Sequence, residues 1–235
     1  MKKEIQILKS RYLQSTIFFL CIILVGILAG FNMRGKKNIE REQLEALSLD
    51  ETNKLMIVAH PDDETIWGGG HLLEGGYFVV CITNGENEIR KEEFLRAVKE
   101  SGNIPLILSY PDKEFGMRSR WWGYIDDITT DIKTILSFKK WDIVVTHNLE
   151  GEYGHIHHKM VSALVTGQRN CAQEAELYYF GKYYKKGTVS SIRMKELEES
   201  ILEKKEEILK LYLSQKSIWK KFGHMFSYED WEKIP

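Results

Sequence analysis

Two short stretches of the chain concentrate side chains that hold cations or move protons. The first, VAHPDDETIWGGG from Val58 to Gly70, places His60 and three consecutive acids, Asp62, Asp63 and Glu64, between an apolar run and a glycine cluster. One acid is enough to cap a helix N-terminus. Three acids behind a histidine, where residues 54–59 have the pattern of a buried strand, point instead to a cation at the strand's end. The second stretch, HNLEGEYGHIHHKMV from His147 to Val161, contains His147, His155, His157 and His158. The three-residue step from His155 to His158 lets two imidazoles face one point from the first turn of a helix. Alone, a histidine-rich loop reads equally as solvated or structural. Paired with the acidic stretch on the same sheet edge, it reads as part of a metal site.

The elements that must position these groups follow from an alternation of apolar runs and helical patterns. Strands are expected at 54–59, 77–83, 105–109, 141–146 and 177–180, with helices at about 64–74, 90–100 and 124–138 and one starting near His155. Continuously apolar strands separated by helices describe an α/β fold, a mainly parallel sheet covered on both faces in three layers. Such sheets bind ligands at the carboxyl ends of their strands, where His60 to Glu64 and His147 to His158 both fall. Residues 194–215, with Met194, Leu197, Ile201, Ile208 and Tyr212 at helical spacing, are expected to form one long amphipathic helix docked on the domain. Gly68, Gly69 and Gly70 match neither dinucleotide-binding nor Walker spacing and are read as close helix–sheet packing.

The chain has 235 residues, 43% hydrophobic and 29% charged, which suits one globular domain with an appendage. The appendage is N-terminal. No residue from Tyr12 to Met33 is charged, and as a helix this stretch spans roughly 30 Å, the thickness of a bilayer core. The expected organisation is a membrane anchor over 1–33 (transmembrane about 12–33), a charged linker over 34–53 and a catalytic domain over 54–235. A cleaved signal peptide fits less well, because Ile27 stands where a small residue is wanted before a cut after Ala29. The resulting expectation is a single-pass protein of the cell membrane. Basic residues flank the segment on both sides, so the positive-inside rule leaves only a slight lean to the extracytoplasmic side for the domain. A net charge of −1 excludes the global basic field of a nucleic-acid binder. Cys21, Cys81 and Cys171 lack metal-ligand spacing.

The motifs Ala59-His-Pro-Asp-Asp-Glu64 and Tyr153-Gly-His-Ile-His-His158 resemble those of the LmbE-like or PIG-L-like zinc de-N-acetylases, over roughly residues 54–180. Thr83-Asn-Gly85 with Arg90 and Glu93 is similar to the family's second block, and Ser214-Gln215 to its C-terminal marker. The resemblance implies a Rossmann-like sandwich in which His60, Asp63 and His158 ligate zinc; Fe(II) or another divalent metal suits the same donors. It implies Asp62 as general base, Tyr153 and His155, the latter as an imidazolium, as stabilisers of the reacting carbonyl, and Arg90 as a substrate-binding residue; Asp112, after the third strand, reads either as substrate-binding or as a structural partner. His157 stands where relatives often carry an acid, a departure that removes no ligand.

The implied reaction is removal of the acetyl group from an N-acetylglucosamine-type sugar, the anchor directing it to a glycolipid or cell-surface glycan. The alternatives are hydrolysis of another small N-acyl substrate and a non-catalytic, zinc-stabilised glycan-binding membrane protein, which would have no use for a base beside the metal. Several residues carry a plainer second reading. Arg90 can pair with Glu93, Glu64 can cap the helix or orient His60, and His147 is expected to make a structural hydrogen bond. His71 and His224 read as packing or surface residues. Trp121 and Trp122, in a long irregular stretch with Phe115 and Met117, suit sugar stacking, core packing or a lipid interface.

Overall fold

The computed structural model describes residues 14–22, 38–172 and 174–234. Five parallel strands, β1 (Lys54–Val58), β2 (Tyr77–Thr83), β3 (Ile104–Tyr110), β6 (Ile143–Thr146) and β7 (Glu176–Tyr179), form the sheet, with β8 (Glu232–Lys233) antiparallel at one edge. The order is β3-β2-β1-β6-β7-β8, and β4 (Lys113–Glu114) and β5 (Met117–Arg118) make a separate hairpin. The strands are continuously apolar because each face meets its own core. Leu55, Ile57, Phe78, Val80 and Ile82 pack with Ile128, Ile132 and Ile135 of α5 (Ile125–Leu136) and Val161 and Val165 of α7 (Ile156–Gly167). Met56, Val58, Val79 and Cys81 pack on the other side with α3 (Asp63–Leu72), α4 (Glu88–Glu100) and α8 (Glu199–Leu209). Sheet and flanking helices thus agree with the α/β expectation.

The strand order determines where chemistry can sit. The chain runs outward from β1 through β2 to β3, then returns to the other side of β1 with β6. The carboxyl ends of β1 and β6 therefore flank the crevice at which open α/β sheets bind ligands. His60 follows β1 by two residues and His147 follows β6 directly. The glycines after the acidic turn serve packing, as expected. A Cβ on Gly68, Gly69 or Gly70 would come within 2.8 Å of Met56, Lys205 or Leu197 respectively.

Two expectations are corrected. The long C-terminal helix is shorter, because α8 covers only Glu199–Leu209. Before it, Leu197 donates its N–H to the Ser227 carbonyl, and after it the chain tightens into the 3-10 turn Leu213–Gln215. The second correction concerns the membrane. No helix among the described residues is long and apolar enough to cross a bilayer. Of the expected span, only residues 14–22 are described, and they are helical (α1). The rest of 12–33 lies outside the described residues. The expected single-pass cell-membrane localisation, with the bilayer as a partner, is therefore overturned. A compact unit starts at Ile39. Its first residues are packed: Ile39 donates its N–H to Asp131 Oδ1 at 2.9 Å, and Leu44 of α2 (Arg41–Glu45) is fully buried.

Candidate active site

The β1–α3 turn is built to turn two acids inward. Asp62 sits at φ 109°, in the left-handed region that non-glycine residues avoid, a local cost found typically at functional sites. Glu64 is what holds the turn. Its Oε2 accepts the Asp62 N–H at 3.1 Å, while Oε1 accepts the Thr65 hydroxyl at 2.5 Å and the Tyr212 hydroxyl. Asp62 does not spend its own carboxylate on capping α3.

Three acceptor atoms meet at one point. His60 Nδ1 is 3.1 Å from Asp63 Oδ2, His158 Nε2 is 3.2 Å from the same oxygen, and the two nitrogens are 3.3 Å apart. Donors about 2.0 Å from a tetrahedral zinc are spaced about 3.3 Å from one another, so this triangle has the edges of one face of such a site. The far side of His158 is settled by Glu152, whose Oε2 accepts Nδ1–H, so that a cation taking the place of the Nε2 proton would meet the Nε2 lone pair. Glu152 Oε2 also accepts from His147 Nδ1 at 3.1 Å, and His147 Nε2 accepts the Ala59 N–H at 2.9 Å, so His147 has the structural role expected of it. Burial alone would lower His158, but Asp63 and Glu152 outweigh it and hold the group at about 10. Burial likewise works against ionisation of Asp63, yet His158 and His60 keep it well below the carboxylate range. A point that favours positive charge this strongly, ringed by two imidazoles and a carboxylate, fits a divalent cation.

Asp62 stands beside this triangle and outside it. Burial, reinforced by Asp63 and Glu64 against the opposing charge of Arg90, pushes it up to about 8. Arg90 does not pair with Glu93. It lies 3.5 Å from Asp62 Oδ2 and donates to the Pro61 carbonyl, while Glu93 accepts from the backbone N–H and hydroxyl of Ser214, both at 2.6 Å. Asp112 reaches the same centre: its Oδ1 is 3.4 Å from His60 Nε2, 3.6 Å from His157 Nδ1 and 3.9 Å from Arg118. Burial opposes its ionisation, but His60 and Arg118 hold it below the ordinary carboxylate range.

His155 packs edge-on to His60 with ring centroids 4.6 Å apart, and its Nδ1 faces Arg118 Nη1 at 3.4 Å. Burial and the charges of His158 and His60 lower its pKa to about 2. Its Nδ1 faces Arg118, which only donates, so Nε2 is the nitrogen left to donate. Tyr153 packs against His155 and His158 at 5.8 and 5.4 Å and over Trp67. A cavity of 160 Å³ is bordered by His60, Asp62, Asp63, Tyr153 and His155. A cleft of 760 Å³, lined by Asn84, Asn87, Ser109, Tyr110 and Ser214, adjoins it across Arg90, Asp112 and Gln215.

Sequence reasoning missed Glu152, Arg118 and Lys221. An acid six residues before His158 was a usable signal for Glu152, since metal-binding histidines commonly donate to a carboxylate. Arg118 and Lys221 line the small cavity from distant segments, and no local pattern marks them. The tryptophan pair divides: Trp121 is fully buried and stacked on His157, whereas Trp122 is 88% exposed.

Residues 55–168 match the family described as PIG-L: GlcNAc-PI de-N-acetylase. An uncharacterized protein of Acanthamoeba polyphaga mimivirus is 34% identical over 157 residues, covering 60% of this chain and 65% of that protein. The chain therefore spans about 65% of the length of this relative. Both stretches that carry the acidic and histidine cluster lie inside the matched region.

Proposed function

We propose that this protein is a zinc-dependent N-deacetylase that hydrolyses the acetamide of an N-acetylglucosamine-type sugar, releasing acetate and the free amine. The observation that carries the reading is the triangle of His60 Nδ1, Asp63 Oδ2 and His158 Nε2, with the carboxylate of Asp62 adjacent to Asp63 but outside the triangle. The match of residues 55–168 to the PIG-L family supports the reaction class. The glycolipid or cell-surface substrate drew its support from the membrane anchor and is not part of the proposal.

His60, Asp63 and His158 would hold the metal, zinc or an ion of similar preference such as Fe(II). When bound, it acidifies water and polarises the acyl carbonyl. Asp62 takes the proton of the attacking water and later delivers one to the departing amine. The Tyr153 hydroxyl and the Nε2–H of His155 donate to the oxyanion as the carbonyl becomes tetrahedral, each donor contributing about 100- to 1,000-fold. Arg90 keeps the Asp62 turn in place from the Pro61 carbonyl and, with Asp112, borders the cleft. The amides and hydroxyls of Asn84, Asn87, Ser109 and Ser214 give that cleft the chemistry of sugar recognition.

The test is acetate release from a panel of N-acetylglucosamine conjugates by the zinc-loaded protein, with and without chelator. Chelator-sensitive release supports the proposal. No release from any conjugate, with sugar binding retained, would favour the glycan-binding alternative; release only from non-sugar amides would favour another N-acyl substrate.

A further inference from the structure

His157 lies between the metal-site triangle and the loop that follows β3, and all three of its faces are occupied. Its Nε2 is 2.8 Å from the Ser119 carbonyl, which only accepts, so Nε2 carries the proton. Its Nδ1 is therefore a lone pair, and it faces His60 Nε2 at 3.0 Å. A lone pair at that distance calls for a donor, which places the proton of His60 on Nε2 and leaves Nδ1 of His60 bare toward Asp63 and His158. The ring plane is fixed by Trp121, whose indole lies parallel to it at 4.1 Å and 8°. The clamp itself is anchored: Trp121 Nε1 donates to the Pro111 carbonyl at 2.8 Å, Trp121 N–H to Ser119 Oγ at 3.1 Å, and Ser119 N–H to the Asp112 carbonyl at 3.0 Å. Trp121 keeps a left-handed φ of 54° within it.

We infer that His157 is a positioning residue for His60: held by the Ser119 carbonyl and the Trp121 ring, it accepts the His60 Nε2 proton and so presents the His60 Nδ1 lone pair to the metal. The two histidines of the triangle are then oriented by different chemistry. His158 donates to the carboxylate of Glu152, whereas His60 donates to a neutral imidazole. Asp112 Oδ1 approaches the same His60 nitrogen at 3.4 Å, farther than His157 and beyond an ordinary N–H···O hydrogen bond. The inference rests on the metal-site reading of the proposed function.

Two substitutions separate accepting from filling space. His157→Asn keeps an acceptor near the Nδ1 position, while His157→Leu removes it; neither donates in the manner of Nε2 to Ser119. Zinc affinity of the full chain, measured by competition with a chromophoric chelator, is expected to fall about 10- to 100-fold for His157→Leu, the usual scale for an outer partner of a ligating histidine. His157→Asn is expected to stay within about threefold of the wild type. Equal zinc affinities for the two variants would overturn the inference, because Asp112 would then suffice as the acceptor. A measurement on the wild type does not depend on the variants folding. Long-range nitrogen–proton NMR of the zinc-loaded, histidine-labelled protein is expected to show His60 bound through Nδ1 with a slowly exchanging Nε2–H. Coordination through Nε2 would overturn the inference while leaving the metal site intact; no zinc binding by the wild type would overturn both.

Discussion

Helix α3 has a buried cluster of charges at each end, and the two differ in how their charge is balanced. At the C-terminal end, Glu229 is fully answered from within the chain. Its Oε1 accepts from Lys205 Nζ at 2.6 Å and Gly70 N–H at 2.7 Å, and its Oε2 from His71 Nδ1 at 2.7 Å and His71 N–H at 3.1 Å. At the N-terminal end, Asp63, Asp112 and Glu152 face histidines, Asp62 and Glu64 adjoin them, and the ring nitrogens of His60 and His158 converge with Asp63 Oδ2. One cluster is a closed ion-pair network that joins α3 to α8 and the C-terminal segment. The other pairs part of its charge within the chain, through Arg90, Arg118 and His158, and turns three donors to one point that fits a cation. Burial by itself does not distinguish a structural charge from a functional one; what does is whether the chain supplies every counterpart.

The contrast can be broken most severely by removing metal. Chelation is expected to abolish acetate release while circular dichroism shows the fold retained, since the two apolar cores do not depend on the site. Unfolding on chelation would make the N-terminal cluster as structural as the other. The next effect is Asp62→Asn, which keeps shape and the metal donors but removes the base. Its kcat is expected to fall about 100- to 10,000-fold with unchanged zinc content. Wild-type turnover in that variant would eliminate the mechanism.

Lys205→Met probes the closed cluster. It leaves the buried Glu229 without its ammonium partner, with an expected loss of about 3–5 kcal/mol in urea unfolding and no change in zinc affinity. A loss below about 1 kcal/mol would show that His71 and the backbone N–H groups already satisfy the carboxylate. The smallest effect is one of pH. Burial works against Glu229 ionisation, but Lys205 and His71 bring it down to about 2. A carboxylate depressed in the folded state contributes stability that is present above its unfolded pKa of about 4.3 and is lost as pH falls toward 2, here about 3 kcal/mol. Glu229→Gln should flatten that acid limb, measured by unfolding between pH 5 and 2. An unchanged limb would assign the acid sensitivity to the carboxylates of the other cluster.

The sheet was legible because its signal is local. Burial on both faces forces unbroken apolar runs such as Tyr77–Thr83, and the observed strand has the expected limits. The acidic and histidine stretches were legible as lying at the carboxyl ends of strands, whereas their place at the switch point depends on the strand order. The N-terminal expectation rested on hydropathy alone, and no helix among the described residues is long and apolar enough to cross a bilayer. The helix expected over 194–215 failed for a related reason. Periodicity continued past Leu209, but tertiary contacts took over, with Tyr212 turned inward to Glu64.

The sequence by itself determined that two clusters of ligating side chains lie at the carboxyl edge of a parallel sheet, since residue type, strand pattern and spacing are encoded locally. Only the tertiary structure decided what each group faces. It took Arg90 to the Asp62 turn rather than to Glu93, gave Glu152 to His158, buried Trp121 against His157 and left Trp122 in solvent. Arg90 and Asp62 are 28 positions apart and Trp121 and His157 are 36, so neither pairing is set by local spacing. A hydrogen bond such as His60 to His157, separated by 97 positions, exists only once the sheet has brought β1 and α7 together.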